Sequence, residues 1–327
     1  MQRYKDLPVV LLITTNFGFE GYGYSLARYF SKFTNTFVYS TKHYFDFSHY
    51  AHMIPSVVST NNDIFVKFLG KMSYIFNSSH KVRFTLLRPE DVDLLVVVDP
   101  VICRIDIKPF SKATKVYWAQ DTHAKKHRNI HFYSTHLEDY DLIYVAHSKD
   151  LDKYREVVKR EVMHLPYAFD PEVYRPLNSI EKEYDISFVG NITPQRLQFL
   201  RNLAKKPNIR SFIGNAYLKD VNTIYNKSKI VINISQSNEL NWRVFEVLGS
   251  GSFLLSNATE EISEVFKPSY HLDTFENENE LVYKIFFYLQ NENIRNQIAV
   301  NGHEEALRKH TLENRAVRIL KDAHLIQ

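Results

Sequence analysis

Apolar residues fall into short continuous runs separated by stretches with helical spacing. Pro8–Thr15 (PVVLLITT) is short, rich in β-branched residues and apolar at almost every position. A run of this kind reads as a strand buried on both faces, as in a parallel sheet. From Gly23 to Phe33, the residues Leu26, Ala27, Tyr29, Phe30 and Phe33 recur at helical spacing, so strand, glycine loop and helix follow in order. Further strands are expected at Thr36–Tyr39, Asp93–Val98, Lys115–Trp118 and Leu142–Val145. A helix is expected over Asp63–Phe76, where Phe65, Phe68, Leu69, Met72 and Ile75 share one face. Strands alternating with helices predict a parallel sheet with helices on both faces.

Leu165–Leu177 (LPYAFDPEVYRPL) carries three prolines and no periodicity, and reads as the passage out of a first domain. The pattern then restarts. Strands are expected at Asp185–Val189, Ile209–Ile213, Lys229–Ile234 and Ser252–Leu255, with helices over Gln195–Ala204, Val221–Asn226 and Trp242–Leu248. Long amphipathic helices follow His271. A chain of 327 residues exceeds what one core usually serves. The expected architecture is α/β, with two Rossmann-like domains facing a cleft. The first spans 1–167 and the second 168–310, while a C-terminal helix at 311–327 packs back on the first. Ligands of such sheets bind beyond the carboxyl ends of the strands.

Composition narrows the class. Hydrophobic residues make up 44% and charged residues 24%, which excludes disorder as the main state. The single cysteine, Cys103, excludes a disulfide scaffold and suits a reducing compartment. No apolar run approaches the ~20 residues that span a bilayer. Met1–Pro8 is charged and leads directly into a strand, unlike a signal peptide. A cytoplasmic protein is therefore expected. A net charge of +4 permits anionic substrates or peripheral contact at the inner face of a membrane, and makes nucleic acid an unfavoured partner. With only 9 glycines in the chain, their clustering at strand-to-helix junctions points to ligand loops.

Asn16–Gly23 (NFGFEGYG) lies between the first strand and helix. Its backbone N–H groups could hold a phosphate or close on an acceptor, with Gly18, Gly21 and Gly23 as the candidates. The spacing is Gly-x-x-Gly-x-Gly, and no acidic residue closes the second strand, so a nicotinamide cofactor is disfavoured. No cofactor or metal is expected. Gly190, Asn191 and Arg196 form a second candidate phosphate loop, although Asn191 or Thr193 with Pro194 would equally start a helix. Asn241–Ser256 (NWRVFEVLGSGSFLLS) is the strongest signal. Arg243 and Glu246 stand three apart, so one helical face can present both. Arg243 can pair with phosphate, and Glu246 can accept two hydrogen bonds from a vicinal diol such as ribose. Taken alone, a surface Arg–Glu pair explains the spacing equally well. In Trp118–His136, Asp121 and His123 directly follow a strand end, and either could contact a sugar or serve as an acceptor base.

The stretch Asn241–Ser256 resembles the carboxyl-terminal domain of the glycosyl transferases group one superfamily, most closely the spore maturation protein CgeB-like branch. Glu246, Ser250, Gly251 and the apolar strand after them match the superfamily's pattern. Tyr184–Arg196, Leu165–Pro176, Asp141–Ser148 and the segment around Thr311–Leu320 resemble other parts of it. The resemblance covers residues 140–320 well and the first 140 loosely. It implies the GT-B architecture and transfer of a hexose from a nucleotide diphosphate sugar to a hydroxyl acceptor, without metal. The donor would be held by Glu246, Arg243, Gly190, Asn191, Arg196, Asn238 and Gly251. Many members place a second Glu eight positions before the ribose Glu. Here that position is Asn238, with Glu239 adjacent, so Glu239 joins Asp121 and His123 as a catalytic candidate. Three alternatives stay open at this stage: a nucleotide-sugar epimerase, a DNA-base glucosyltransferase, and a non-catalytic carbohydrate- or nucleotide-binding protein.

Overall fold

The computed structural model describes residues 7–14, 22–40, 74–76, 82–83, 88–98, 107–120, 137–193, 196, 200, 203, 209–217 and 219–327. Two compact units emerge: 1–166 together with 312–327, and 167–311.

The first unit is built on a sheet of order β4-β3-β2-β1-β5-β6-β7-β8. Its strands are β1 Val9–Thr14, β2 Asn35–Ser40, β3 Tyr74–Phe76, β4 Val82–Arg83, β5 Leu94–Val98, β6 Thr114–Ala119, β7 Leu142–Val145 and β8 Met163–His164. β1 runs parallel to both β2 and β5, with Leu12 opposite Val38 on one side and Val96 on the other. All five residues of β5 are buried, the behaviour expected of an apolar strand covered on both faces. Helix α1 (Tyr22–Phe30) turns Leu26, Ala27 and Phe30 inward. The helix read over Asp63–Phe76 is corrected at its end. Tyr74–Phe76 is an extended strand between β4 and β2, antiparallel to both, with Val38 of β2 opposite Tyr74. A three-residue run of β-formers carries no period of its own, and the free edge of β2 decides its state. Residues 63–73 lie outside the described set.

The second unit has five strands, all parallel, in the order β10-β9-β11-β12-β13. They are β9 Tyr184–Val189, β10 Ser211–Gly214, β11 Ser228–Asn233, β12 Leu254–Asn257 and β13 Asp273–Phe275. β9 comes first in the chain, and its neighbours β10 and β11 lie on opposite sides of it. The strand order therefore reverses at β9, and the carboxyl ends of β9 and β11 are where such sheets receive ligands. Around the sheet lie α3 Lys219–Lys227, α4 Trp242–Gly249, α5 Glu260–Val265, α6 Glu278–Gln290 and α7 Glu292–Lys309; α2 (Leu151–Val158) belongs to the first unit. The core joins Ile186, Ile230, Ile232, Phe253 and Leu255 of the strands to Leu281, Ile285, Tyr288 and Ile298 of the helices. β13 precedes the long helices and was not foreseen. β12 starts two residues later than expected, because Gly251 and Ser252 still close the end of α4 through bonds to Leu248 O and Val247 O.

The last helix, α8 (Leu312–Asp322), packs on α1 within the first unit. Lys32 pairs with Glu313 at 2.8 Å, Arg315 Nε donates to Pro166 O at 2.7 Å, and the Tyr144 hydroxyl donates to Asp322 at 2.6 Å. No described helix is long and apolar enough to cross a membrane.

Candidate functional site

The second unit gathers most of the candidate residues at the reversal of strand order. β9 ends at Val189, and Gly190 turns the chain with φ +145°, a backbone state that side chains rarely adopt. The Gly190 N–H donates to Gly214 O at the end of β10, at 2.9 Å. Its α-carbon faces the Arg243 guanidinium so closely that an added Cβ would stand 2.1 Å from Nη2. Glycine is thus required twice here, by conformation and by contact. Gly190→Ala is expected to leave the unit folded, with a loss of about 1–2 kcal/mol from backbone strain. The Arg243 guanidinium, the far end of a flexible side chain, would be pushed off Asn233 and the Phe188 ring, and any anion it holds would bind more weakly. Thermal unfolding and calorimetric titration with UDP measure both effects.

Arg243 is placed by three neighbours. Its Nη1 donates to Asn233 Oδ1 at 2.7 Å, and its guanidinium carbon lies 4.8 Å from the Phe188 ring centroid. The Tyr225 hydroxyl is within hydrogen-bonding reach. Asn233 ends β11, is 0% exposed, and donates through Nδ2 to Ser256 Oγ at 2.9 Å. Its carbonyl also accepts from Asn241 Nδ2 at 3.2 Å. A polar residue closing an apolar strand is therefore the anchor of the site's cation.

Arg196 has a different task. Its Nε and Nη2 donate to Ile234 O at 2.8 and 2.6 Å, and Nη1 donates to Asn191 O at 2.9 Å. It is buried, and its charge ties the loop after β9 to the loop after β11. Burial pushes its pKa down to about 10, helped by the like charge of Arg243 and opposed by Glu239. The phosphate contact expected of Arg196 thus gives way to bracing, and Arg243 is the more open cation. Asn191 is exposed and lends Arg196 its backbone carbonyl.

Glu246 is half-buried one turn further along α4. Its Oε1 accepts from the Tyr174 hydroxyl at 2.8 Å, and Tyr225 is within reach of the same carboxylate. Burial raises the Glu246 pKa, while Tyr174, Arg243 and Tyr225 oppose the rise. Tyr174 is delivered by a segment clipped to α3. Asn222 Oδ1 accepts from Arg175 N at 3.1 Å, and Asn226 Oδ1 accepts from Leu177 N at 2.8 Å. Asn222 and Asn226 are four apart on α3, and both amides also donate to Arg175 O. The prolines of this segment are visible in the sequence, but the tyrosine's partner lies 72 residues away.

The remaining candidates fall into three groups. Glu239 is 6% exposed, and its carboxylate accepts from Ser237 N at 2.8 Å within its own loop. Asn238 is exposed, sits in the left-handed region at φ 55°, and lines an open pocket with Ala258, Thr259, Glu260, Ser263 and Glu264. Gly251, also left-handed at φ +70°, caps α4 and packs on Pro176. It lies past the last turn of the helix and closes α4 through Leu248 O. Gly23 is the second residue of α1, not part of a loop. Asp121, His123, Gly18 and Gly21 lie outside the described residues. Sequence reading did not single out Tyr225 or Asn233, and it took Tyr174 only as part of the Leu165–Pro176 passage.

The two α/β units, one on a mostly parallel sheet and one on a wholly parallel sheet, match solved structures of the GT-B fold. Residues 176–321 match the family model described as Glycosyl transferase-like. No curated protein matches the chain in sequence. Solved structures that share the fold include Anabaena HepE in complex with UDP and glucose, at 11% identity and TM-score 0.62, covering 96% of this chain and 99% of that one. The sucrose-phosphate synthase of Thermosynechococcus elongatus matches at 12% identity and TM-score 0.59, covering 97% and 98%. An α-glucosyltransferase bound to UDP and a 13-mer DNA containing a HMU base matches at 12% and 0.63, covering 96% and 98%.

Proposed function

We propose that the protein is a glycosyltransferase that moves a hexose from a nucleotide diphosphate sugar to a hydroxyl acceptor. The observation that carries this reading is the pair Arg243 and Glu246 on one face of α4, beside Gly190 at the reversal of strand order. Both lie within the segment that matches a glycosyl transferase-like family. Arg243 would hold the diphosphate, and Glu246 would accept from the ribose hydroxyls. Negative charge grows on the leaving diphosphate in the transition state. A fixed guanidinium in a half-buried setting stabilises that charge more than water does. The chain thereby supplies what a metal supplies elsewhere, which favours a metal-independent reaction. The resemblance of Asn241–Ser256 supports a place in the CgeB-like branch. Asp121 and His123, just past β6, are the candidates for the acceptor base, and the first unit for the acceptor side.

The test is thermal unfolding with UDP, GDP, ADP or dTDP, without added metal, beside Glu246→Ala. A ligand that binds only the folded state at 100 times its Kd adds about 2.7 kcal/mol. One diphosphate should raise Tm, and the variant should lose that rise. A rise seen only with added divalent metal would sink metal independence. No rise with any of the four, in folded protein, would sink the donor site. Release of the nucleotide from its sugar conjugate then separates an enzyme from a binding protein.

A further inference from the structure

Arg243 and Glu246 stand at a spacing where opposite charges on a helix ordinarily meet. Among the described residues no ion pair joins them. Each is drawn to a different partner: Arg243 to Asn233 at 2.7 Å, and Glu246 to Tyr174 at 2.8 Å. Tyr225 of α3, 1% exposed, interacts with both groups through its hydroxyl. A phenol can accept from the guanidinium and donate to the carboxylate at once.

We propose that Tyr174 and Tyr225 are positioning residues that keep Glu246 from closing on Arg243, so that the guanidinium stays open to phosphate and the carboxylate to a hydroxyl pair of the same ligand. This rests on the reading of Arg243 and Glu246 given under Proposed function. A direct pair would satisfy both groups internally, and a ligand would have to break it before binding. The charge-assisted bond from the Tyr174 hydroxyl, with Tyr225 beside it, holds the carboxylate without neutralising it. Burial raises the pKa of both tyrosines, so they stay protonated donors through the neutral range. The asparagine clip on Arg175 and Leu177 keeps Tyr174 from following Glu246 if it moves.

The experiment is calorimetric titration with inorganic pyrophosphate and, separately, with UDP. Pyrophosphate probes the Arg243 side alone; UDP probes both sides. The proteins are the wild type, Tyr174→Phe/Tyr225→Phe, and the same double variant carrying Glu246→Gln. Without its donors, the carboxylate is expected to turn to Arg243, and pyrophosphate should bind roughly ten-fold more weakly, the worth of one charged hydrogen bond. Removing the carboxylate's charge in the triple variant should return pyrophosphate affinity to within about two-fold of wild type, since a neutral amide oxygen competes for the guanidinium far more weakly than a carboxylate. UDP should stay weak, because its ribose partner is gone. A merely structural role would not yield that recovery. Unchanged pyrophosphate affinity in the double variant, or equal weakness in double and triple, overturns the inference while the donor site stands. A wild type that binds neither probe overturns both. Circular dichroism checks folding; if the double variant fails to fold, Tyr174→Phe with and without Glu246→Gln carries the same comparison.

Discussion

Arg243→Met is expected to weaken UDP binding by about 2 kcal/mol, roughly thirty-fold, while the free protein keeps its Tm within a few degrees. Methionine retains an unbranched stem and removes the guanidinium, with its charge, its donors and its place over the Phe188 ring. Two effects on stability oppose each other. Asn233 Oδ1 loses its donor at 2.7 Å but keeps Asn241 Nδ2 at 3.2 Å. Arg196 loses a like charge that helps hold its pKa down at about 10, behind the larger effect of burial, and so becomes easier to keep ionised. Arg243→Lys should recover part of the affinity, because a point charge reaches phosphate without the planar fork. Calorimetric titration of the three proteins decides. If Arg243→Met binds UDP like the wild type, the guanidinium is not the phosphate ligand.

Gly302→Ala is expected to destabilise the protein by about 3 kcal/mol, the range of overpacking a close contact. Local reasoning gives the opposite sign, since glycine inside a helix costs about 1 kcal/mol relative to alanine. Gly302 lies in the middle of α7, and an added Cβ would stand 2.0 Å from His271 O and 2.8 Å from Leu248 Cδ2. The first of these is a backbone atom that cannot rotate away. The helix would have to retreat from α4, which His303 also contacts through Leu248 O at 3.0 Å. A fall in Tm of roughly 10 °C follows for a unit of this size. Glu304→Ala, at an exposed position of the same helix, should change Tm little. A Gly302→Ala protein with an unchanged or higher Tm would show that the approach of α7 to the His271 carbonyl is not tight.

The same contrast runs through the candidate site. Arg243 and Glu246 were legible because both lie on one short helix, and a residue type at a spacing is a local property. Gly190 was legible as a glycine after a strand, but the contact that requires it comes from a side chain 53 positions later. Arg196 was read as a phosphate ligand from its charge. The tertiary structure instead gives its guanidinium to two backbone carbonyls, one of them 38 residues away. Glu239 was a reasonable catalytic candidate from its place beside Asn238, and the loop gives that carboxylate Ser237 N as a partner. Tyr174 stood in the Leu165–Pro176 passage that the resemblance covered, but nothing local told that its partner would be Glu246.

By itself, then, the sequence determined the alternation of strands and helices, the restart of the pattern after Leu177, and the helix that carries the charged pair. Continuous apolar strands and helical periodicities are set by which side chains water rejects, and neighbours in the chain suffice to show it. Only the tertiary structure decided which charge is open and which is spent. That outcome depends on hydrogen-bond partners brought from distant segments: Asn233 at the end of β11, the clipped Tyr174, and the two carbonyls that take up Arg196. A buried polar group must find a partner wherever the fold provides one, and sequence distance places no limit on where that is.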